Sequence, residues 1–185
     1  MTAIAIGRKP IMTDDISGLT APYPISGLRA DAEIIFVSVI AQIDGRQEDD
    51  ILLLHLNQAV SSYESNIVTY DTSNQRDFWR PAAGTVSATR GFAIGYVGFG
   101  AVNPMQGAAL VMAELTIGIA PLRPRLATGS SYTATEKLED RPHNQRYLSR
   151  IGGEYRNVGG AVTDLRFSML RNTPFRITTL RAVVV

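Results

Sequence analysis

Two histidines, His55 and His143, are the only imidazoles in this chain of 185 residues, and there is no cysteine. The missing thiols exclude disulfide staples and Cys-ligated zinc. His55 stands in the apolar run Ile51–Leu56 and reads as a packed side chain with its ring nitrogens satisfied. His143 stands in Asp140-Arg141-Pro142-His143 and reads as a solvated loop residue. Neither has a partner at the His-x-x-x-His or Glu-x-x-His spacing that puts two ligands on one helical face. There is no Gly-x-Ser-x-Gly elbow, and Ser130 and Ser131 lie in a polar run without a motif. Acidic residues cluster at Asp14-Asp15, Glu48-Asp49-Asp50 and Glu139-Asp140. None has the spacing of a calcium loop, and nothing marks a glycosidase pair. The run Gly95–Asn103 imitates a dinucleotide fingerprint, but Asn103 replaces its third glycine and no acid closes a following strand. No catalytic, cofactor-binding or metal-binding residue is assigned.

The other chemistry on offer is that of arginine and aromatic rings. Lys9 and Lys137 are the only lysines among 18 basic residues. Arginine makes planar bidentate contacts and is enriched at interfaces. Residues 1–120 carry 7 basic and 12 acidic groups, a balance of −5; residues 121–185 carry 11 and 5, a balance of +6. Such polarity suits head-to-tail contact between copies or an acidic partner. Arg166, Arg171, Arg176 and Arg181 recur every five residues. Five is odd, so along one strand they should alternate faces rather than build a basic stripe, and nucleic acid is not an expected partner. Phe78-Trp79-Arg80, just before Pro81, offers either a sugar-stacking platform or a protein hot spot, against the plainer role of a loop anchor.

These residues must be positioned by a β-rich framework. Residues 1–32 are broken by Gly7, Pro10, Gly18, Pro22, Pro24 and Gly27, and read as an extended N-terminal arm. Within it Ile16-Ser17-Gly18-Leu19 returns nine residues later as Ile25-Ser26-Gly27-Leu28. Each unit offers two apolar anchors, with Tyr23 between them, for a groove on the same chain or a neighbour. Residues 33–185 form the body. Residues 33–43 are apolar on both sides and predict a buried central strand. Residues 49–64 are the best helix candidate, with Asp49 and Asp50 at its start and a leucine stripe; a strand over 51–57 is the rival. Residues 66–71 read as a strand, and 84–99 as one long or two short strands with bulges or close approaches at their glycines. Residues 107–120 alternate as a strand, against a helix opened by Asn103 and Pro104. Residues 127–146 read as a polar excursion. The chain closes in two strands about the turn Arg171–Pro174, with Leu165, Phe167 and Met169 facing inward and Phe175, Ile177 and Val183 sharing a side. The expected class is mainly β, a β-sandwich or jelly-roll-like body.

The segment from Leu165-Arg166-Phe167-Ser168-Met169-Leu170 through the turn to Phe175-Arg176-Ile177-Thr178-Thr179-Leu180-Arg181-Ala182 resembles the closing strands of β-sandwich virion proteins of tailed bacteriophages. It covers about 25 of the 185 residues. The resemblance implies a non-enzymatic particle component: a capsid decoration or cement protein, or a head–tail or tail piece. Its expected partners are other copies of itself and other virion proteins. No apolar run reaches signal-peptide or membrane-span length, so the expected route is synthesis in the host cytoplasm and residence in the virion, without a membrane. The interface candidates are Ile16, Leu19, Tyr23, Ile25 and Leu28 of the arm, Phe78, Trp79 and Arg80, and Arg176 and Arg181 of the tail. A carbohydrate- or protein-binding module centred on Trp79 is the alternative.

Overall fold

A computed structural model describes residues 11–16, 23–26, 28, 32–43, 50–57, 59–71, 81–88, 90–97, 109–120, 122–135, 146–157 and 159–184. They form twelve strands and, among the described residues, no helix. These are β1 (Ile11–Ile16), β2 (Tyr23–Ser26), β3 (Ile34–Ile43), β4 (Asp50–Leu56), β5 (Tyr63–Asp71), β6 (Pro81–Ala88), β7 (Phe92–Val97), β8 (Ala109–Gly118), β9 (Arg125–Thr135), β10 (Arg146–Tyr155), β11 (Asp164–Met169) and β12 (Phe175–Val184). An eight-stranded sheet runs β1-β12-β3-β8-β9-β10-β5-β6, and a four-stranded sheet β2-β11-β4-β7 packs on it. Both are antiparallel, so the protein is a mainly-β sandwich.

The alternation predicted for β8 holds: Ala109, Val111, Ala113, Leu115 and Ile117 are buried. β3 is central but has one buried face, not two. Ile35, Val37, Val39, Ala41 and Ile43 enter the core, while Ile34 and Phe36 lie exposed on the other side. The helix expected over 49–64 is instead β4 and the start of β5. Every residue of β4 is buried, and a helix over Ile51–Leu56 would have turned some of these leucines to water. Asp50 caps no helix. Its carboxylate accepts the backbone N–H of Arg171 at 2.9 Å and of Thr173 at 3.3 Å, and the Thr173 hydroxyl. It therefore sits beneath the turn that joins β11 to β12.

Two further expectations change. The polar excursion of 127–146 contains β9 over its first part; residues 136–145 lie outside the described residues. β9 escapes a hydropathy reading because its inward positions are the polar Arg125 and then small or hydroxylated residues: Ala127, Gly129, Ser131 and Thr133. The two closing strands meet at the expected turn but do not pair with each other. β11 lies in the four-stranded sheet beside β4, and β12 lies in the eight-stranded sheet beside β3. The tail is thus an arch between layers rather than a hairpin. A bulge between Ile177 and Thr179 shifts its phase, so Leu180 and Ala182 are buried and Val183 does not join Phe175 and Ile177.

The arm follows this arch with a second one. β1 pairs antiparallel with β12, from Ile11 opposite Ala182 to Ile16 opposite Ile177. β2 pairs antiparallel with β11, from Tyr23 opposite Phe167 to Ser26 opposite Asp164. Leu28 is buried, and its N–H donates to the Thr163 carbonyl at 3.0 Å. The other edge of the small sheet, β7, is closed differently. Its Ala93 N–H donates to Ser65 Oγ at 2.9 Å, and its Tyr96 carbonyl accepts from Thr133 Oγ1 at 2.9 Å, so side chains of the large sheet satisfy groups that β7 cannot pair in its own.

Candidate functional site

Alternation in the large sheet sends one set of side chains outward, and the register aligns them into rows. One row runs Ile40, Met112, Tyr132, Leu148 and Tyr70 across β3, β8, β9, β10 and β5. The next runs Arg181, Ser38, Glu114, Ser130, Arg150 and Val68 from β12 to β5. A third runs Val183, Phe36, Thr116, Thr128, Gly152 and Asn66 over the same strands. The second and third rows line an open depression of about 530 Å³ over β12, β3, β8 and β9. A second depression of about 450 Å³ lies over β9, β10 and β5, walled by Leu126 and by Arg156 ion-paired to Glu64. Ser130 is opposite Arg150 and Thr128 opposite Gly152, so the two depressions are neighbours on one face, a shallow groove region crossing the strands in two parts. Phe36 is 45% exposed at one end. Glu114, Arg150 and Arg181 are exposed and have no hydrogen-bond or ion-pair partner among the described residues.

Arg181 belongs to this face, and so does Arg176. The bulge in β12 adds one residue between them and cancels the odd spacing, so the two point the same way, contrary to the expected alternation. Arg176 is engaged by Gln42, its Nε donating to the amide oxygen at 2.9 Å. Ile16 lies at the Ile177 end of β1, and Tyr23 and Ile25 lie on β2 opposite Phe167 and Leu165. These arm positions follow the tail at the sheet edges and do not meet Arg181. Leu19, Phe78, Trp79 and Arg80 lie outside the described residues. Phe36, Glu114, Arg150 and Gly152 were missed. Their one sequence signal was the unexplained second apolar side of β3, which reads as burial until a sheet with one open face is known.

His143 lies outside the described residues. His55 is 3% exposed. Its Nδ1 donates to the Ala59 carbonyl at 3.0 Å, which leaves Nε2 to accept the Ser168 hydroxyl at 2.7 Å. Desolvation holds its pKa below the ordinary value, with the nearby Arg166 charge acting in the same direction. A hydroxyl donating to a neutral imidazole is the contact of a nucleophile with its base, but the orienting group here is a carbonyl and the ring is sealed from solvent. The pair satisfies buried polar atoms. Beside it Tyr63 stacks on Tyr155 at 4.5 Å, meets Phe92 edge-on at 5.1 Å, and accepts the Leu56 N–H at 2.7 Å, pinning the crossing from β4 to β5. Burial pushes its phenol far above the usual pKa. Arg125 is buried over Tyr155 and donates to the carbonyls of Asn157 and Gly160, which holds the loop after β10. Among the described residues no group of three or more His, Cys, Asp or Glu side chains could hold a metal ion. Comparison with protein families, with curated proteins and with solved structures finds no match.

Proposed function

We propose that this protein is a non-enzymatic structural subunit of a viral particle, of the capsid decoration, cement or head–tail kind, which assembles with copies of itself by exchanging its arm. The observation that carries the reading is the position of β1 and β2. Each is the outermost strand of its sheet, and both run along the same tail arch. Together they cover two strand edges, β12 and β11, that would otherwise template pairing with another chain. The same ladders form equally well when the arm comes from a neighbour, since an exchanged element keeps every native contact. The opposed charges of residues 1–120 and 121–185 favour such contact in trans.

The absence of cysteine gives a clean test. Asp14 opposes Thr179 across β1 and β12. Opposed residues in an antiparallel pair lie about 4.5–5.5 Å apart at Cα, within disulfide reach. Asp14→Cys and Thr179→Cys are made separately, the two proteins are mixed under assembly conditions and then oxidised. Exchange gives a covalent dimer in denaturing gels. If only the double variant is bridged, and only within one chain, the arm stays at home and the reading fails. Deleting residues 1–30 should in parallel leave a folded body that no longer assembles.

A further inference from the structure

We propose that the groove across the outer face of the large sheet binds an oligosaccharide, with Phe36 as its stacking surface and Glu114, Arg150 and Arg181 as its hydrogen-bonding groups. The site shares only Arg181 with the arm ladders, where its backbone is opposite Met12, and does not depend on the assembly reading.

Shape supplies the first argument. The two neighbouring depressions together span six strands from β12 to β5, five steps of about 4.8 Å, or roughly 24 Å. An extended oligomer, rather than one ring, would occupy both. Chemistry supplies the second. The row Arg181, Ser38, Glu114, Ser130, Arg150 alternates base, hydroxyl, acid, hydroxyl, base. An anionic ligand would meet Glu114 at its centre, and a cationic one would meet a guanidinium on either side. A polyhydroxylated ligand suits both, because each hydroxyl donates to a carboxylate and accepts from a guanidinium. Beside the charges Phe36 presents an exposed ring, the apolar surface on which the C–H face of a sugar can lie.

Gly152 supplies the third. A Cβ built on it meets nothing within 4 Å, and its φ is not in the left-handed region. Neither packing nor backbone conformation calls for glycine here, and glycine inside a strand costs stability. What its missing side chain does is keep the floor open where the two depressions join, between Thr128 and Asn66. A fold-neutral glycine between two neighbouring depressions is accounted for by a ligand that passes over it.

The full chain is titrated with cellohexaose, mannohexaose and chitohexaose, and with hexagalacturonate as an anionic counterpart, by calorimetry and by backbone-amide NMR. At least one neutral hexamer is expected to bind and to move signals of β3, β8, β9 and β10. Phe36→Ala, Glu114→Gln and Gly152→Leu should each weaken it ten-fold or more, while Gly152→Leu melts no lower than the parent. Leu110→Ala, on the same face outside the groove, should bind as the parent does. The proposal is overturned if no hexamer moves the groove signals, or if Phe36→Ala and Gly152→Leu bind normally. It is also overturned if only hexagalacturonate binds and moderate salt removes it, which would make the face a plain cationic patch. A concentration-dependent dimer lost on Phe36→Ala would overturn it too, since the face would then dock a second copy.

Discussion

Adjacent glycines on β10 look out of opposite faces of the large sheet. A Cβ on Gly153 would lie 2.9 Å from Phe92 Cδ1 and 3.1 Å from Ser65, so the inner position has no room for one. A Cβ on Gly152, one residue earlier, would meet nothing. The contrast extends over both surfaces. Inside, most polar side chains have a bonding reason: Ser65 and Thr133 close the edge of β7, and Thr69 shares a hydrogen bond with Ser149 at 2.9 Å, while the buried Ser131 hydroxyl has no partner among the described residues. Outside, an exposed phenylalanine, three charges without partners among the described residues and a glycine stand together with no reason drawn from folding. The fold accounts for the inner set and leaves the outer set as the place to test for a ligand.

The comparison can be tested by substitution. The largest effect belongs inside. Phe167 is fully buried on β11, and Phe167→Ala should cost about 3–5 kcal/mol in denaturant unfolding. Gly153→Val forces Phe92 or β10 to move and should cost about 1–3 kcal/mol. A neutral result there would erase the distinction between the two glycines. Tyr63→Phe leaves the Leu56 N–H without its partner and should cost about 1–2 kcal/mol.

Acid should also act on the interior, through His55. Its folded pKa lies below the unfolded value of 6.5, so the unfolded chain binds the proton first. Stability is then full above pH 6.5 and is lost as pH falls from there to the folded pKa, at no more than about 1.4 kcal/mol per pH unit. His55→Gln should remove this component of the slope, measured as the difference between the two proteins from pH 7 to pH 5. The smallest effect belongs outside. Gly152→Thr should change stability by less than about 1 kcal/mol, and in the stabilising direction, because the strand gains a better β-former in free space.

Strand positions were legible wherever inward and outward residues differ in polarity. β8 announces itself because Glu114 and Thr116 punctuate an apolar alternation, and the turn at Arg171–Pro174 because asparagine and proline mark it. β4 looked helical because a strand buried on both faces has no alternation to read, and a run of leucines fits either period. β9 was lost because its inward residues are serine, threonine and glycine. The groove was not legible, because it exists only once five or six strands are in register. Arg181 and Arg150 lie 31 positions apart and Phe36 is more distant still. One bulge in β12 was enough to reverse a parity argument about arginines.

The two nested arches also order events in time. β12 lies between β1 and β3 in space, yet it is the last of the described strands in the chain. About 130 residues separate the end of β3 from the start of β12, and at ribosomal speeds of about 5–20 residues per second that is roughly 7–26 s. Through that interval the arm has been made but its own docking strands have not. A nascent chain therefore carries two strands whose partner strands are not yet made. The two outer ladders are therefore among the last parts of the sandwich able to close, and the core strands between β3 and β10 can assemble before them.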